Sequence, residues 1–306
     1  MPYPRFYHRE PVGSLVAPQT AAAVESGREA RMTPSEQDET RTILLLVDPQ
    51  IDFVHPDGSL SVPGAVDDTR RTVEWIFRNA ESITTIAASL DSHVPIQIFS
   101  PTWWSDKHGW HPAPYTTITS DDVRAGRWKP LYERSWSEQY VEILEEQAKK
   151  ALMIWPYHTL IGTPGHSITP ALYEAIAYHS AARRSQPVFL SKGSIPKTEH
   201  YSIMEPEVKV PDNPMGQLNT QFLDMLASYD QVYIAGQAKS HCVLETVASM
   251  MRYFGDQPKI IGKVAVLMDC TSSVAHPEID FDSMANEALE RFARQGLRLT
   301  DSTHDL

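Results

Sequence analysis

Three reactive side chains each come shortly after an apolar run of strand length: Asp48, Lys192 and Cys242. Because the carboxyl ends of parallel strands meet at one edge of a sheet, we expect the acid, the amine and the thiol to lie together. An ammonium group and a helix N-terminus both lower the pKa of a nearby thiol. A carboxylate can accept the thiol proton and later pass it to a leaving amine. The three residues therefore predict acyl transfer through a thioester.

Each of these side chains also has an ordinary structural interpretation. An Asp at a strand end often caps a turn, a lone Lys is usually solvated, and a Cys usually packs as a small apolar side chain. Only the combination of the three favours catalysis. Backbone N–H groups around Ala238 and Cys242, in the turn before the next predicted helix, could then bind the oxyanion of such a reaction.

Apolar runs alternate with helical patterns from residue 42 onward, which is typical of an α/β protein with a parallel sheet. Continuous apolar runs indicate strands that helices cover on both faces. The predicted strands are 43–47, 96–99, 188–190, 232–235, 264–268 and 297–299. The predicted helices are 66–88, 137–150, 168–183, 217–228, 241–254 and 282–295.

Two segments depart from this alternation. Residues 1–41 show no sustained period, and we interpret them as an irregular N-terminal arm ahead of one domain at 42–306. Since the periodic pattern begins only at residue 42, we expect that domain to fold without the arm. Residues 101–136 are rich in Trp, Pro, His and Asp. We interpret them as a loop insertion, and long loops in compact domains are usually functional.

The composition excludes several classes of protein. The 306 residues are 42% apolar and 22% charged, close to the globular average and unlike a disordered or fibrous chain. No apolar run approaches the roughly 18 residues that a membrane span needs, and the N-terminus has no apolar signal core. A formal charge of −12 disfavours nucleic-acid binding. With only two cysteines, we expect a cytoplasmic protein without a disulfide framework.

Four motifs, in order, resemble those of the nicotinamidase/isochorismatase-like cysteine hydrolases. They are LLLVDPQIDFVHPDGSLSVPGA at 44–65, WPYHTLIGTPG at 155–165, SKGSIPKTEHYS at 191–202 and AGQAKSHCV at 235–243. Four ordered motifs that span most of 42–275 are far more specific than one short pattern. The resemblance implies a six-stranded parallel sheet with helices on both faces, and a hydrolase that acts on the C–N bond of a small amide.

The same resemblance implies roles for individual positions. The matching residues are Asp48, Lys192 and Cys242 for the catalytic triad, Ala238 and Cys242 for the oxyanion, and Phe53 and Trp155 for an aromatic substrate pocket. A cis peptide bond between Gln237 and Ala238 is also implied.

The nicotinamidase branch of this family binds a divalent metal through an Asp-x-His pair after the second strand and the His of the WPxH motif. His158 matches that His. The sequence GWHP resembles the family's DWHP, with Gly109 in place of the Asp and His111 matched. Asp91 and His93 have the right spacing but precede the predicted strand 96–99, so we interpret them as a helix-end turn.

The predicted metal ligands are therefore His111 and His158 only. Such a pair needs a substitute third ligand, for example Asp106 or His108, because Zn and Fe sites normally take three or more protein ligands. We therefore expect no required cofactor and little or no tightly held divalent metal.

We predict a cysteine-dependent amidohydrolase that cleaves a small amide through a thioester and assembles as a homo-oligomer, either a dimer or a tetramer. The alternative is a catalytically silent family member that binds a ligand or acts as a scaffold, if residues 101–136 block the pocket. The intact triad favours the enzyme, because a scaffold does not require these three residues together. The identity of the amide is left open.

Overall fold

A six-stranded, fully parallel sheet forms the centre of the computed structural model, which describes residues 3–10, 12–148 and 150–306. The strands are β1 Thr42–Val47, β2 Thr85–Asp91, β3 Trp104–Ser105, β4 Thr117–Ile118, β5 Lys129–Pro130, β6 Leu152–Met153, β7 Val188–Lys192, β8 Gln231–Gly236, β9 Val264–Leu267 and β10 Arg298–Thr300. The strand order in the sheet is β10-β9-β8-β1-β2-β7. The predicted parallel α/β sheet is confirmed.

Helices cover both faces of this sheet. They are α1 Thr20–Glu29, α2 Ile51–Val54, α3 Ala65–Asn79, α4 Ser120–Arg124, α5 Arg134–Ile143, α6 Pro170–Arg183, α7 Thr220–Ala227, α8 Leu244–Phe254, α9 Pro258–Ile261 and α10 Phe281–Ala293. Because successive side chains of a strand point to opposite faces, Leu44 and Leu46 pack with α1, α3 and α6, while Leu45 packs with α7, α8 and α10. None of the described helices is both long enough and apolar enough to cross a membrane.

The second strand of the sheet lies earlier in the chain than predicted. Helix α3 ends at Asn79, so the predicted helix 66–88 is too long, and the following segment TIAASLD forms β2 between β1 and β7. The predicted strand 96–99 is wrong. Its apolar side chains Ile98 and Phe99 are buried in the same cluster as residues of the 101–136 segment. The apolar run therefore indicates burial of these side chains and not a strand.

The 101–136 segment has structure of its own. It contains β3, β4, α4 and β5, with β3 paired to β5 and β4 paired to β6 in short antiparallel ladders. Trp103 and Trp104 are buried in the same apolar cluster as Phe53 and Trp155. The insertion therefore packs against the predicted substrate pocket.

The N-terminal arm packs on its own chain. Helix α1 lies against α6, and the aromatic rings of Phe6 and Tyr7 contact Phe77. The fully buried Arg183 of α6 pairs with Asp38 of the arm. The interpretation of an irregular arm is therefore wrong for Thr20–Glu29, and the arm contributes to the core that we expected to fold without it.

We expect Asp38→Asn to lower the free energy of unfolding by roughly 3 kcal/mol, the low end of the cost of breaking a buried ion pair. The reason is that the Arg183 guanidinium has no exposed surface and would lose its counter-ion. Urea unfolding measures the change. The matched control is Asp305→Asn, whose carboxylate is 64% exposed beside a half-buried Arg78 and which should cost less than about 1 kcal/mol. Equal costs for the two variants would contradict the structural role of the arm.

Candidate active site

The three predicted catalytic side chains lie together at the carboxyl edge of the sheet. Asp48 directly follows β1, and Lys192 is the last residue of β7. Cys242 lies in a π-helical turn, Lys239–Val243, that precedes α8; the predicted helix at 241–254 begins its α-helical part only at Leu244. The Nζ atom of Lys192 lies 3.0 Å from Asp48 Oδ2 and 3.6 Å from Cys242 Sγ. All three side chains are buried.

A second carboxylate shares the same ammonium group. Asp91, the last residue of β2, accepts a hydrogen bond of 2.9 Å from Lys192 Nζ. Lys192 also donates to the backbone carbonyl of His200 at 2.7 Å. Two buried carboxylates thus face one buried cation, and an unbalanced buried charge is costly unless another positive group compensates it.

Burial and nearby charges shift the pKa values of Asp48, Asp91, Lys192 and Cys242. Burial raises the pKa of Asp48, although Lys192 opposes this change. Burial acts to raise the pKa of Asp91, but the His93 imidazole and Lys192 together hold it well below its usual value. Burial acts to lower the pKa of Lys192, and the two carboxylates hold it well above its ordinary value.

The pKa of the Cys242 thiol is shifted in the opposite direction to that expected at a helix N-terminus. Burial raises the pKa of the Cys242 thiol well above its ordinary value, and the charge of Lys192 only partly opposes this. Burial therefore opposes the lower thiol pKa that the adjacent ammonium group and helix start predicted. Asp48 Oδ2, which lies 3.0 Å from Lys192 Nζ, makes no well-aligned hydrogen bond with any described residue and can accept a proton.

Alkylation of Cys242 by iodoacetamide is expected to be slow at neutral pH and to keep accelerating above pH ~9, where an ordinary thiol with pKa about 8.5 is largely ionised. The raised pKa of the buried thiol is the reason. Peptide mass spectrometry measures the rate at Cys242 separately from that at Cys270. A rate that levels off below pH ~7 would instead reveal a resting thiolate.

Two residues that the sequence analysis missed hold the carboxylates in place. Ser89 donates its hydroxyl proton to Asp48 Oδ1 at 2.6 Å and accepts from the Asp48 backbone N–H. The Gln50 side-chain amide donates to the backbone carbonyl of Asp91 and accepts from its backbone N–H. Both act between neighbouring strands, and no local sequence pattern indicates such a contact.

A compact group of potential metal ligands adjoins the triad. Asp91 Oδ2 lies 2.7 Å from His93 Nε2 and 3.7 Å from His158 Nε2, and all three side chains are buried. The interpretation of Asp91 and His93 as a helix-end turn is wrong, because β2 ends at Asp91 and both residues follow the body of the second strand. The Asp-x-His spacing is present in the sequence. Because the second strand was predicted at 96–99, this pair fell before the predicted strand and was not assigned to the metal site.

The orientation of the two imidazole rings suits a divalent metal. Nδ1 of His93 donates to the Gly193 carbonyl at 3.0 Å, and Nδ1 of His158 donates to the Pro156 carbonyl at 2.7 Å. In the neutral form of the rings, these bonds leave the lone pair of each Nε2 facing Asp91, the arrangement that second-shell carbonyls impose on metal-binding histidines. The His93 Nε2 is buried without a hydrogen bond. The residues present therefore fit a divalent cation.

Gly193 permits the close approach of β7 to this group. Its φ is +83°, and a Cβ atom there would lie 2.6 Å from Asp91 Oδ1 and 2.9 Å from the His93 ring. A side chain at this position would displace both ligands. The glycine that follows Lys192 is thus required by the site and not only by the turn.

The other residues considered for metal binding lie elsewhere. Nδ1 of His111 contacts the backbone carbonyl of Trp104 at 2.6 Å, and the side chain of Asp106 accepts from the backbone N–H groups of an exposed turn. Among the described residues, the group that brings three potential ligands together contains His158 but neither His111 nor Asp106.

The predicted oxyanion and pocket residues lie beside the triad. The Gln237–Ala238 peptide bond is cis, and the backbone N–H of Ala238 donates to no other described residue. Phe53, Trp155 and Ala238 belong to one buried cluster. The Phe53 ring lies 5.6 Å from the His158 ring. Buried aromatic side chains therefore lie near a free backbone donor and the candidate metal ligands.

No family model and no curated protein matches the sequence. Solved structures do match. The chain is similar to yeast nicotinamidase, with 20% identity and a TM-score of 0.57 over 86% of this chain and 100% of that chain. It is also similar to PnC1 of L. infantum in complex with nicotinate (20% identity, TM-score 0.51, 90% and 98% covered). A third similar structure is the pyrazinamidase of Pyrococcus horikoshii in complex with zinc (21% identity, TM-score 0.50, 85% and 98% covered).

These likenesses extend over almost the whole of each compared chain. They agree with the parallel six-stranded sheet that the strand pairing defines. The chain therefore has the isochorismatase-like α/β fold of these nicotinamidase and pyrazinamidase structures.

Proposed function

We propose that this chain is a cysteine amidohydrolase that cleaves a small primary amide through a thioester. The observation that carries the proposal is the buried contact of Lys192 with both Cys242 Sγ and Asp48 Oδ2. A thiol, a carboxylate and an ammonium group meet beside a free backbone N–H and an aromatic pocket. General acid–base catalysis and nucleophilic catalysis both need such hydrogen-bond reach.

In the first half of the reaction, the Cys242 thiol transfers its proton to Asp48 as its sulfur attacks the amide carbonyl. The negative charge that develops on the carbonyl oxygen is bound by the backbone N–H groups of Ala238 and Cys242. The C–N bond then breaks as Asp48 returns the proton to the nitrogen. Ammonia leaves, and the acyl group remains on sulfur as a thioester.

In the second half, a water molecule replaces ammonia beside Asp48. The Asp48 carboxylate removes a proton from this water as the water oxygen attacks the thioester carbonyl. The C–S bond breaks, and the proton on Asp48 returns to the Cys242 sulfur. The balance is one amide and one water consumed, with one carboxylic acid and one ammonia formed. Lys192 keeps its charge throughout and stabilises the negative charge that moves between sulfur and carboxylate.

We further propose that Asp91, His93 and His158 hold one divalent cation. A carboxylate and two imidazoles form a donor set that suits Zn or Fe, with water completing the coordination. Such an ion supplies Lewis acidity and can orient a substrate group that carries a lone pair. This proposal replaces the expectation that the protein holds little metal.

Purified protein is expected to retain about one divalent ion per chain after dialysis, and His158→Ala should reduce that content at least tenfold. Removing one of three protein ligands is the reason. Elemental analysis by plasma mass spectrometry gives the stoichiometry. His111→Ala is the matched control, because His111 lies outside the ligand group. Loss of metal in the His111 variant, or absence of metal from the unmodified chain, would contradict the assignment.

The amide itself is best sought among small aromatic carboxamides. The solved neighbours named for nicotinamidase activity, and the one bound to nicotinate, support this choice, as do the predicted aromatic pocket residues Phe53 and Trp155. The test is ammonia release from a panel of primary amides that includes nicotinamide and pyrazinamide. No release from any amide above the rate of the Cys242→Ala variant would favour the catalytically silent alternative. The homo-oligomer and the cytoplasmic location stay predictions.

A further inference from the structure

A cavity of about 520 Å³ borders the turn that carries Cys242. Its walls come from β6, the turn at Ser240 and His241, the start of α8 and one face of α10. This volume falls within the roughly 300–1,000 Å³ typical of small-molecule sites. The residue at its α10 rim, Met284, is 58% exposed, so the cavity opens to solvent there.

Two aromatic side chains connect the lining of this cavity to the predicted pocket residue Trp155. Tyr201 and His241 line the cavity, and both also face the buried Trp155. The His241 ring lies 5.2 Å from the Trp155 ring and 5.3 Å from the Tyr201 ring. The Tyr201 hydroxyl accepts a hydrogen bond from the Trp155 indole N–H at 2.9 Å. His241 directly precedes Cys242, so the cavity borders the turn Lys239–Val243 that carries the nucleophile.

The lining favours a flat apolar group. The Phe281 ring lies 4.8 Å from the His241 ring and continues the aromatic wall outward. Leu152 and Ile279 add aliphatic surface. Burial lowers the pKa of His241 to about 3, so its ring is neutral at physiological pH. The Phe281–His241–Trp155 series is therefore an uncharged aromatic surface that leads toward the site.

The charged residues at the cavity disfavour an anionic group. The Lys150 ammonium is held by two carboxylates, Glu207 at 3.1 Å and Glu245. The cavity is also lined by Glu199 and Glu287, against the single further cation of Arg291. Acidic side chains thus outnumber basic ones. A ligand with a carboxylate at this end would meet repulsion, whereas a neutral group would not.

We propose that the cavity is an acyl-extension subsite, and that the preferred substrates are primary amides whose aromatic acyl group carries a second, neutral apolar ring. This inference rests on the proposed amidase function and specifies its substrate class. The reacting carboxamide lies at Cys242, and the second ring passes Tyr201 and His241 to lie against Phe281 and Leu152.

The experiment compares kcat/KM for nicotinamide, 5-phenylnicotinamide, 6-phenylnicotinamide and a carboxyphenyl analogue. At least one phenyl amide should exceed nicotinamide by tenfold or more, and the carboxyphenyl analogue should lose that gain. In Ala288→Trp, an indole on α10 fills the cavity, so the phenyl preference should disappear while the nicotinamide rate stays within about threefold. Ala288→Phe provides a smaller filling side chain if the Trp variant does not fold.

Glu290→Trp is the matched control, because it adds the same indole to an exposed position of α10 outside the cavity lining. It should keep the phenyl preference. Turnover of nicotinamide without any gain from either phenyl group would overturn the subsite and leave the amidase proposal standing. A phenyl preference that survives in the Ala288 variants would also overturn it. Failure of every amide to react above the Cys242→Ala rate would overturn the amidase proposal itself, and the subsite with it.

Discussion

Replacing Cys242 with alanine is expected to lower kcat by about 10³–10⁶-fold while the chain remains folded. Residues that act as a unit in nucleophilic catalysis show losses of this order when one of them is removed. The thiol is buried and lies 3.6 Å from Lys192 Nζ, so no neighbouring nucleophile can take its place without a rearrangement. Ammonia release measures the rate, and urea unfolding shows that the variant is folded.

Cys270→Ala is the matched control for this variant. Cys270 is fully buried and lies in the cluster with α3 and α6, on the opposite face of the sheet from Cys242. Its removal should change the rate by no more than about twofold. Mass spectrometry of the quenched reaction should also detect an acyl group on the Cys242 peptide. Activity above about 1% in Cys242→Ala, or an equal loss in Cys270→Ala, would rule out the proposed thioester.

Replacing Lys192 with methionine is expected to lower the free energy of unfolding by about 3–5 kcal/mol, in addition to abolishing turnover. The side chain keeps its bulk but loses the charge that pairs with Asp48 and Asp91, and breaking a buried ion pair typically costs this much. Both carboxylates are buried, so water cannot replace the ammonium group without opening the site. Denaturant unfolding in the presence of a chelator measures the loss without a contribution from bound metal.

The destabilisation by Lys192→Met should depend on pH. His93 and Lys192 depress the pKa of Asp91 in the folded chain, so its ionised form stabilises the protein above the unfolded pKa of about 3.9. That contribution is lost as pH falls through the folded pKa. The raised pKa of Lys192 means that its contribution is complete below about pH 10. The difference in unfolding free energy between the unmodified chain and Lys192→Met should therefore be largest between about pH 5 and 10 and should decrease in acid.

Lys197→Met is the control for this effect. The Lys197 side chain is 41% exposed, and its Nζ atom lies 3.6 Å from a carboxylate oxygen of Glu133, which is 50% exposed. Exposed pairs contribute about 0–1 kcal/mol, so the control should show little change at any pH. A Lys192→Met protein as stable as the unmodified chain at pH 7 would show that the two carboxylates are not ionised together, contrary to the ion-pair arrangement described above.

The parts of the site that follow apolar strands could be predicted from sequence. Asp48 and Lys192 come at the ends of continuous apolar runs, and Cys242 comes one turn after another such run. In a parallel sheet the ends of those runs converge. The pattern therefore implied proximity before any coordinate was known, and the ordered motifs strengthened it.

Residues whose role depends on the second strand could not be placed in this way. The TIAASLD segment has small and polar side chains, so its signal was weaker than that of the buried residues at 96–99. Its buried positions are defined by β1 on one side and β7 on the other. Once the strand was misplaced, Asp91 and His93 fell on the wrong side of it, and His111 was assigned as a metal ligand in their place.

Local patterning is sufficient to predict the α/β class, most of the sheet strands and the convergence of Asp48, Lys192 and Cys242. These features depend on local periodicity and on the single geometric rule that parallel strands end at one edge. Other features emerge only from the folded chain: Asp91 joins Lys192 to the two histidines, Arg183 anchors the N-terminal arm through Asp38, and burial raises the pKa of the thiol. The physical reason is that desolvation and ion pairing depend on what surrounds a side chain, and those neighbours are far away in the sequence.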